Sequence, residues 1–470
     1  MKILLIDVPF GLVEIGGEKK RFAGVENAIP SLGLAYLAAV AEQEGHEVRI
    51  LDCTIGGDWQ TIQDLGKEFR PDLVGVTAKT PSFANAVKTA SLLRAIVPDA
   101  IFIAGGSHPT AMPEHALAAN IFDYLVLGEG EETFVDLLKF ISGAGSPPET
   151  IPGLAFLKNG EPYFSPARQA IADLDSLPFP ARHLLPPLTA YSPTAASYRQ
   201  LPLVHVMTSR GCPSKCNFCD RAIFGERYRA RSADNVLAEV DEVIHRYGAR
   251  EIRFFDDTFT INQKRLAALC DGLKKIRPRL PWTCLTKAEA VNLDMLKMMA
   301  DAGCWQVLYG LESGNDRVLE TLGKKNTVAM NRQAVKWARQ AGIRVRADFL
   351  VGSPAETPES LQQTLDFAKE LDIDFAHFNK FVPFPGTDFY RMLVAQGYHF
   401  DFSGSSSTLD HDAMIFVPPA IPEEVYKAFL DRAYKEFYLR PGYLVKRFLS
   451  MRTWTEFWGN FRGAFSIGSM

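Results

Sequence analysis

Two successive blocks of short apolar runs alternating with helical stretches constrain this chain more than any other feature. In the first block, KILLIDV, HEVRILD, LVGVTA, AIFIAGG and YLVLGEG are rich in Val, Ile, Leu or Phe and are closed by Gly, Asp or Pro. They read as strands. Between them lie stretches such as LGLAYLAAVAEQEG, where Leu34, Leu37, Ala38 and Ala41 recur at helical spacing. Strand–helix alternation of this kind predicts a parallel, doubly wound α/β sheet. Ligands of such sheets bind at the carboxyl edge of the strands. The strand ends Gly105-Gly106 and Gly128-Glu129-Gly130 therefore stand where a ligand is expected.

Residues 143–200 interrupt the pattern with GAGSPP and with prolines at 178, 180, 186, 187 and 193, and read as a Pro-rich linker with little regular structure. A second alternating block follows, with LVHVMTSRG, EIRFFDDTF, WTCLTKA, WQVLYGLES, RVRADFLVG and HFNKFVPF as strands. The stretch VLAEVDEVIHRY between two of them carries the stripe Val236, Val240, Val243, Ile244 and Tyr247. Six strand–helix units fall short of a full eight-unit barrel and predict an open, partial (β/α)6 barrel of TIM type, with its active site at the carboxyl ends of the strands. The expected organisation is a Rossmann-like domain over 1–142, the linker over 143–200, the barrel over 201–400 and a helical C-terminal segment over 401–470.

That segment turns basic beyond residue 440, and Trp454, Phe457, Trp458, Phe461 and Phe465 follow helical spacing. Such a stripe packs on its own protein, receives a greasy substrate or rests peripherally on a membrane. A chain of 470 residues, 47% hydrophobic and 23% charged, suits two or three folded domains and gives no case for disorder. Its net charge of −4 supplies no general attraction to nucleic acid. No run of 18 apolar residues is present to span a membrane.

Three of the seven cysteines crowd into eight residues as CxxxCxxC: Cys212, Cys216 and Cys219, at the end of the barrel's first strand. This clustering suits a metal site in a reducing, cytoplasmic compartment better than a disulfide framework. Three thiolates so spaced can hold three corners of an iron–sulfur cube and leave one iron open. A zinc knuckle is the alternative; it needs a fourth ligand at short spacing, and the nearest candidate, His205, precedes the loop within a strand.

With these residues the chain resembles the radical S-adenosylmethionine (SAM) superfamily. The resemblance implies a [4Fe–4S] cluster on the three cysteines, whose fourth iron chelates SAM, and cleavage of SAM to a 5′-deoxyadenosyl radical. It implies that Phe218 lies near the adenine and that Asp256 and Asp257 stand where the family binds the SAM amino group, acidic here rather than glycine-rich. Glu312 and Ser313 would meet the ribose, and Lys287 is a candidate partner for the carboxylate. FLVGSPAET matches the fifth-strand motif at Gly352, Pro354 and Glu356, with Ala355 in place of the usual glycine; FVPFPGT matches the sixth at Pro385, Gly386 and Thr387. Cys53, Cys270, Cys284 and Cys304 read as buried small hydrophobes.

The first block resembles the cobalamin-binding domain of the class B branch, on PSLGLAYL, GHEV, AGGSHPT and GEGE. The resemblance implies a corrin at the sheet edge. Gly105 and Gly106 would leave room for its nucleotide tail, Thr77, Thr80 and Ser107 would offer hydroxyls, and Gly128, Glu129 and Gly130 would lie alongside. The DxHxxG motif that supplies a lower cobalt ligand elsewhere is absent, so His108, before Pro109, reads as a local hydrogen-bonding residue. The expected activity is methylation of an unactivated carbon in a bulky, hydrophobic small molecule, served by an electron donor such as flavodoxin or ferredoxin. A ring-closing oxidative cyclase is the first alternative, and a non-catalytic cobalamin sensor the remote one.

Overall fold

A computed structural model describes residues 1–9, 12–15, 18–21, 28–402 and 415–450. The chain divides into two compact units. One comprises 1–192 with 220–229 and the described part of 384–413; the other comprises 193–219, 230–383 and the described part of 414–470.

The first unit holds β1 (Lys2–Asp7), β2 (Glu47–Asp52), β3 (Leu73–Thr77), β4 (Ile101–Gly105), β5 (Tyr124–Val126), β6 (Leu154–Lys158) and β7 (Glu161–Phe164) in one sheet, ordered β2-β1-β3-β4-β5-β6-β7. The five strands expected from the sequence are β1 to β5, and they pair in parallel. Ile3, Leu4, Leu5 and Ile6 of β1 are all fully buried, since apolar clusters cover both faces of the sheet.

Strands β6 and β7 correct the linker expectation. They fall inside 143–200 and extend the sheet in antiparallel fashion. Their turn is Asn159-Gly160, with φ of 54° and 86°, the left-handed pair that a tight hairpin needs. The Asn-Gly signal stood in the sequence beneath the proline-rich composition of its surroundings. The rest of 165–200 has only short 3-10 turns.

The second unit carries β8 (Leu203–Val206), β9 (Glu251–Phe254), β10 (Trp282–Thr286), β11 (Cys304–Glu312), β12 (Arg344–Val351) and β13 (Phe375–Lys380), parallel and in sequence order. This is the expected six-stranded partial barrel. Six helices between its strands begin at a side-chain cap: Ser232, Asn262, Asn292, Asn315, Thr327 and Thr357 each accept the amide N–H three residues on.

A sheet that does not close leaves an edge at β13, whose backbone groups need partners. The helix Glu423–Tyr438 supplies them. The Tyr438 hydroxyl accepts from the Ala376 N–H (3.0 Å) and donates to its carbonyl (2.8 Å), and the Tyr434 hydroxyl serves Phe378 likewise. The expected helical tail thus has a structural task. Trp454, Phe457, Trp458, Phe461 and Phe465 lie outside the described residues. No described helix is long and apolar enough to cross a membrane.

Candidate cofactor and active site

The cysteine loop leaves β8 with three thiols outside any disulfide: Cys216 buried, Cys212 half-buried and Cys219 exposed. Asn217 anchors it. Its backbone N–H donates to the Leu322 carbonyl (2.9 Å) and its side-chain amide to the Thr321 carbonyl (2.8 Å). Gly323 follows in the left-handed region at φ 70°, where a Cβ would stand 2.6 Å from the Lys215 carbonyl, so that corner demands glycine. Lys287 donates to the Ser214 hydroxyl at the loop's other end. Lys324 donates to the Gly310 carbonyl (2.9 Å) and pairs with Glu312 (3.2 Å) at the end of β11.

Burial pushes the Cys216 thiol pKa up, while Lys324 and Lys287 act to lower it. Among the described residues no three His, Cys, Asp or Glu side chains form a ready-made metal-ion site. The fit to a cluster therefore rests on donor chemistry: three thiols on one loop with two ammonium groups nearby to favour their thiolates. Asn217, Gly323 and Lys324 did not stand out in the sequence. Gly-Lys-Lys after a helix reads as an ordinary C-terminal cap with solvated lysines.

The structure separates the two adjacent aspartates after β9. Asp256 is buried, and its carboxylate accepts from the Thr208 N–H (2.6 Å), the Thr208 hydroxyl (2.5 Å) and the Ser209 hydroxyl (2.7 Å). Those bonds tie it to the strand that leads into the cysteine loop. Asp257 is exposed.

Glu312 is buried in a left-handed conformation (φ 62°), which a non-glycine residue adopts only when its surroundings hold it there. Burial raises its pKa and Lys324 opposes that. Ser313 bonds the Thr364 hydroxyl and accepts the Asn315 N–H, so it too is committed internally. Gly352 has φ 88°, and a Cβ there would collide with the Tyr426 hydroxyl, itself bonded to the Val351 carbonyl (2.7 Å). Glu356 accepts the N–H groups of Gly352 and Ser353, with burial pushing its pKa up to about 7.

The fifth-strand motif thus builds the turn around Pro354. In the sixth, Thr387 caps the helix Asp388–Ala395. Cys304 is buried, as expected of a small hydrophobe, and Phe218 is half-buried within the cysteine loop.

At the edge of the first sheet, several expected ligand residues are spent on the protein itself. Gly106 lies at φ 105°, and its missing Cβ would fall 2.8 Å from the Ala78 carbonyl, so glycine is required by the chain's own backbone. Gly105 lacks that constraint: a Cβ would meet only Val126, at 3.5 Å or more. His108 is buried against Phe83, with its ring nitrogens at Thr80 (3.3 Å) and His115 (3.0 Å), and burial pushes its pKa down to about 4. Thr80 is taken up by that contact.

Glu129 forms a buried ion pair with Arg229 and accepts the Ile171 N–H (3.0 Å). Gly128 donates to the Thr110 hydroxyl (3.1 Å), and Gly130 caps the helix Glu131–Ile141. Thr77, Gly105 and Ser107 remain half-buried at the carboxyl edge, where ligands of such sheets bind.

Comparison with known proteins agrees with both halves. Residues 206–368 match the radical SAM superfamily and residues 19–138 the B12 binding domain. An uncharacterized methyltransferase of Pyrococcus horikoshii is 35% identical over 450 residues, 95% of this chain and 94% of that protein. An anaerobic magnesium-protoporphyrin IX monomethyl ester cyclase of Cereibacter sphaeroides is 30% identical over 81% of this chain and 63% of its own. The radical SAM methyltransferase TsrM of Kitasatospora setae, solved with cobalamin and a [4Fe–4S] cluster, shares the fold. Its TM-score is 0.70, with 18% identity over 94% of this chain and 89% of that one. The chain is an enzyme of the class B, cobalamin-dependent radical SAM family.

Proposed function

We propose that the enzyme methylates an unactivated carbon of a small-molecule substrate. The observation that carries this reading is the cysteine loop pinned by Asn217 and flanked by Lys287 and Lys324, in a chain similar from end to end to a named methyltransferase. When bound, the cluster and SAM supply a 5′-deoxyadenosyl radical for hydrogen abstraction, and cobalamin supplies the methyl group.

Cys212, Cys216 and Cys219 would hold the cluster. Lys287 suits the SAM carboxylate, Asp257 its amino group, Phe218 the adenine and Glu312 the ribose hydroxyls. Thr77, Gly105, Ser107 and Gly128 stand at the edge proposed for the corrin. The electron comes from an external carrier of flavodoxin or ferredoxin type. The similarity to a cyclase keeps oxidative ring closure as the second reading, and product mass separates it from methylation.

After anaerobic reconstitution, Cys216→Ala is expected to lose the brown chromophore and to form no 5′-deoxyadenosine. Wild-type rates of SAM cleavage by this variant would refute the reading.

A further inference from the structure

The barrel strands carry polar side chains at alternate positions, opposite the buried apolar set Ile252, Phe254, Cys284, Val307, Val345 and Ala347. Arg253 of β9, Thr283 of β10 and Gln306 of β11 lie level across three neighbouring strands. Arg346 and Asp348 follow on β12, and His377 stands level with Asp348 on β13. Arg253, Thr283 and Gln306 are 8%, 4% and 3% exposed.

The charges in this set do not balance. Arg346 lies 3.6 Å from Asp348 and donates to the Ser197 hydroxyl and to Nδ1 of His377, both at 3.0 Å. His377 receives that bond as a neutral ring, its pKa pushed down to about 4 by burial and then by Arg346. Glu251, two residues before Arg253, spends its oxygens on the N–H groups of Arg199 and Gln200 and on the Trp305 indole. Three guanidinium groups, those of Arg199, Arg253 and Arg346, therefore share two carboxylates, Glu251 and Asp348.

Donors also outnumber acceptors. The Gln306 side-chain amide, the Thr283 hydroxyl and Nε of Arg346 are buried without a hydrogen bond, as is one acceptor, Oδ1 of Asp348, 3.6 Å from that Nε. Arg253 makes no hydrogen bond to another described residue; its guanidinium lies over the Phe255 ring, with Asp348 and Glu251 as its charge neighbours. A buried excess of positive charge with idle donors is unfavourable unless a ligand supplies the missing negative charge.

We propose that Arg253, Arg346, Gln306 and Thr283 bind the anionic end of the substrate, a compact oxyanion of phosphate, phosphonate or carboxylate type. The proposal rests on the enzymatic reading above and narrows it. A substrate carrying such a group meets this face of the barrel better than a wholly apolar lipid.

Titration calorimetry of the reconstituted holoenzyme with inorganic phosphate, methylphosphonate and acetate tests it, with acetamide as neutral control. Saturable binding of one anion per chain is expected, and none of acetamide. Loss of a charge-assisted bond should weaken binding roughly tenfold or more in Arg253→Gln and a few-fold in Gln306→Leu. Tighter binding of phosphate or methylphosphonate than of acetate assigns a phosphoryl-type group, and the reverse assigns a carboxylate.

Absence of saturable binding, or undiminished binding in a folded variant, overturns the proposal. Circular dichroism checks folding, and Gln306→Leu with Thr283→Val decides the matter should Arg253→Gln not fold. Formation of 5′-deoxyadenosine by the wild type is followed separately. Its absence alongside intact anion binding would sink the radical reading and leave the anion site standing.

Discussion

Gly105 and Gly106 are adjacent, yet the structure predicts opposite responses to one added methyl group. At Gly106 an alanine must hold φ 105°, which costs about 1–3 kcal/mol in strain. Its Cβ would also press on the Ala78 carbonyl at 2.8 Å. Ala78 has little freedom to move, since its N–H donates to the Gly105 carbonyl (2.8 Å) and its own carbonyl accepts from His108 (3.1 Å). Yielding there forfeits one or two buried hydrogen bonds at about 1 kcal/mol each. Gly106→Ala should therefore destabilise the first unit by about 3 kcal/mol.

Gly105→Ala meets an ordinary contact at 3.5 Å and should stay within about 0.5 kcal/mol of wild type. Hydrogen exchange of peptides spanning β3 and β4 reads the difference as roughly a hundredfold loss of protection in Gly106→Ala alone. Equal stability of Gly106→Ala and wild type, or equal loss in both variants, would refute the argument. Cobalt content is the second readout. Because Gly105→Ala keeps its fold, reduced cobalamin in that variant reports on the ligand channel itself.

Glu129→Ala strands the buried Arg229 guanidinium on the carbonyls of Ile171 and Phe224, and should cost about 3–5 kcal/mol in chemical denaturation; a loss below about 1 would contradict the pairing. Asp256→Asn should destabilise the second unit, whereas Asp257→Asn should leave its stability unchanged and weaken SAM binding; the reverse pattern would reverse their roles. Glu356 titrates near 7 when folded against an ordinary 4.5, so its contribution is full below about 4.5 and is lost as pH rises through 7. The stability of wild type minus that of Glu356→Gln should accordingly fall by up to about 3 kcal/mol over that range, and a flat difference in urea denaturation would dismiss the effect.

Much of the architecture was legible because strand and helix periods are local properties. The five parallel strands of the first sheet, the six of the barrel and the cysteine triad all stand in contiguous stretches of sequence. The hairpin β6–β7 was missed where proline-rich composition outweighed a clear Asn-Gly turn.

The sequence by itself determined two parallel α/β units, a three-thiol loop and the strand ends at which chemistry is expected, since backbone periodicity and ligand spacing are written along the chain. Only the tertiary structure decided which polar residues at those ends remain available to a ligand. Asp256 and Asp257 are neighbours in sequence, but one is consumed by Thr208 and Ser209. Glu129 is neutralised by an arginine 100 residues away, and Lys324 reaches Glu312 from beyond a helix. A residue's period tells which face it occupies; its partner across that face comes from distant chain, and pairing there settles whether a charge serves the fold or the site.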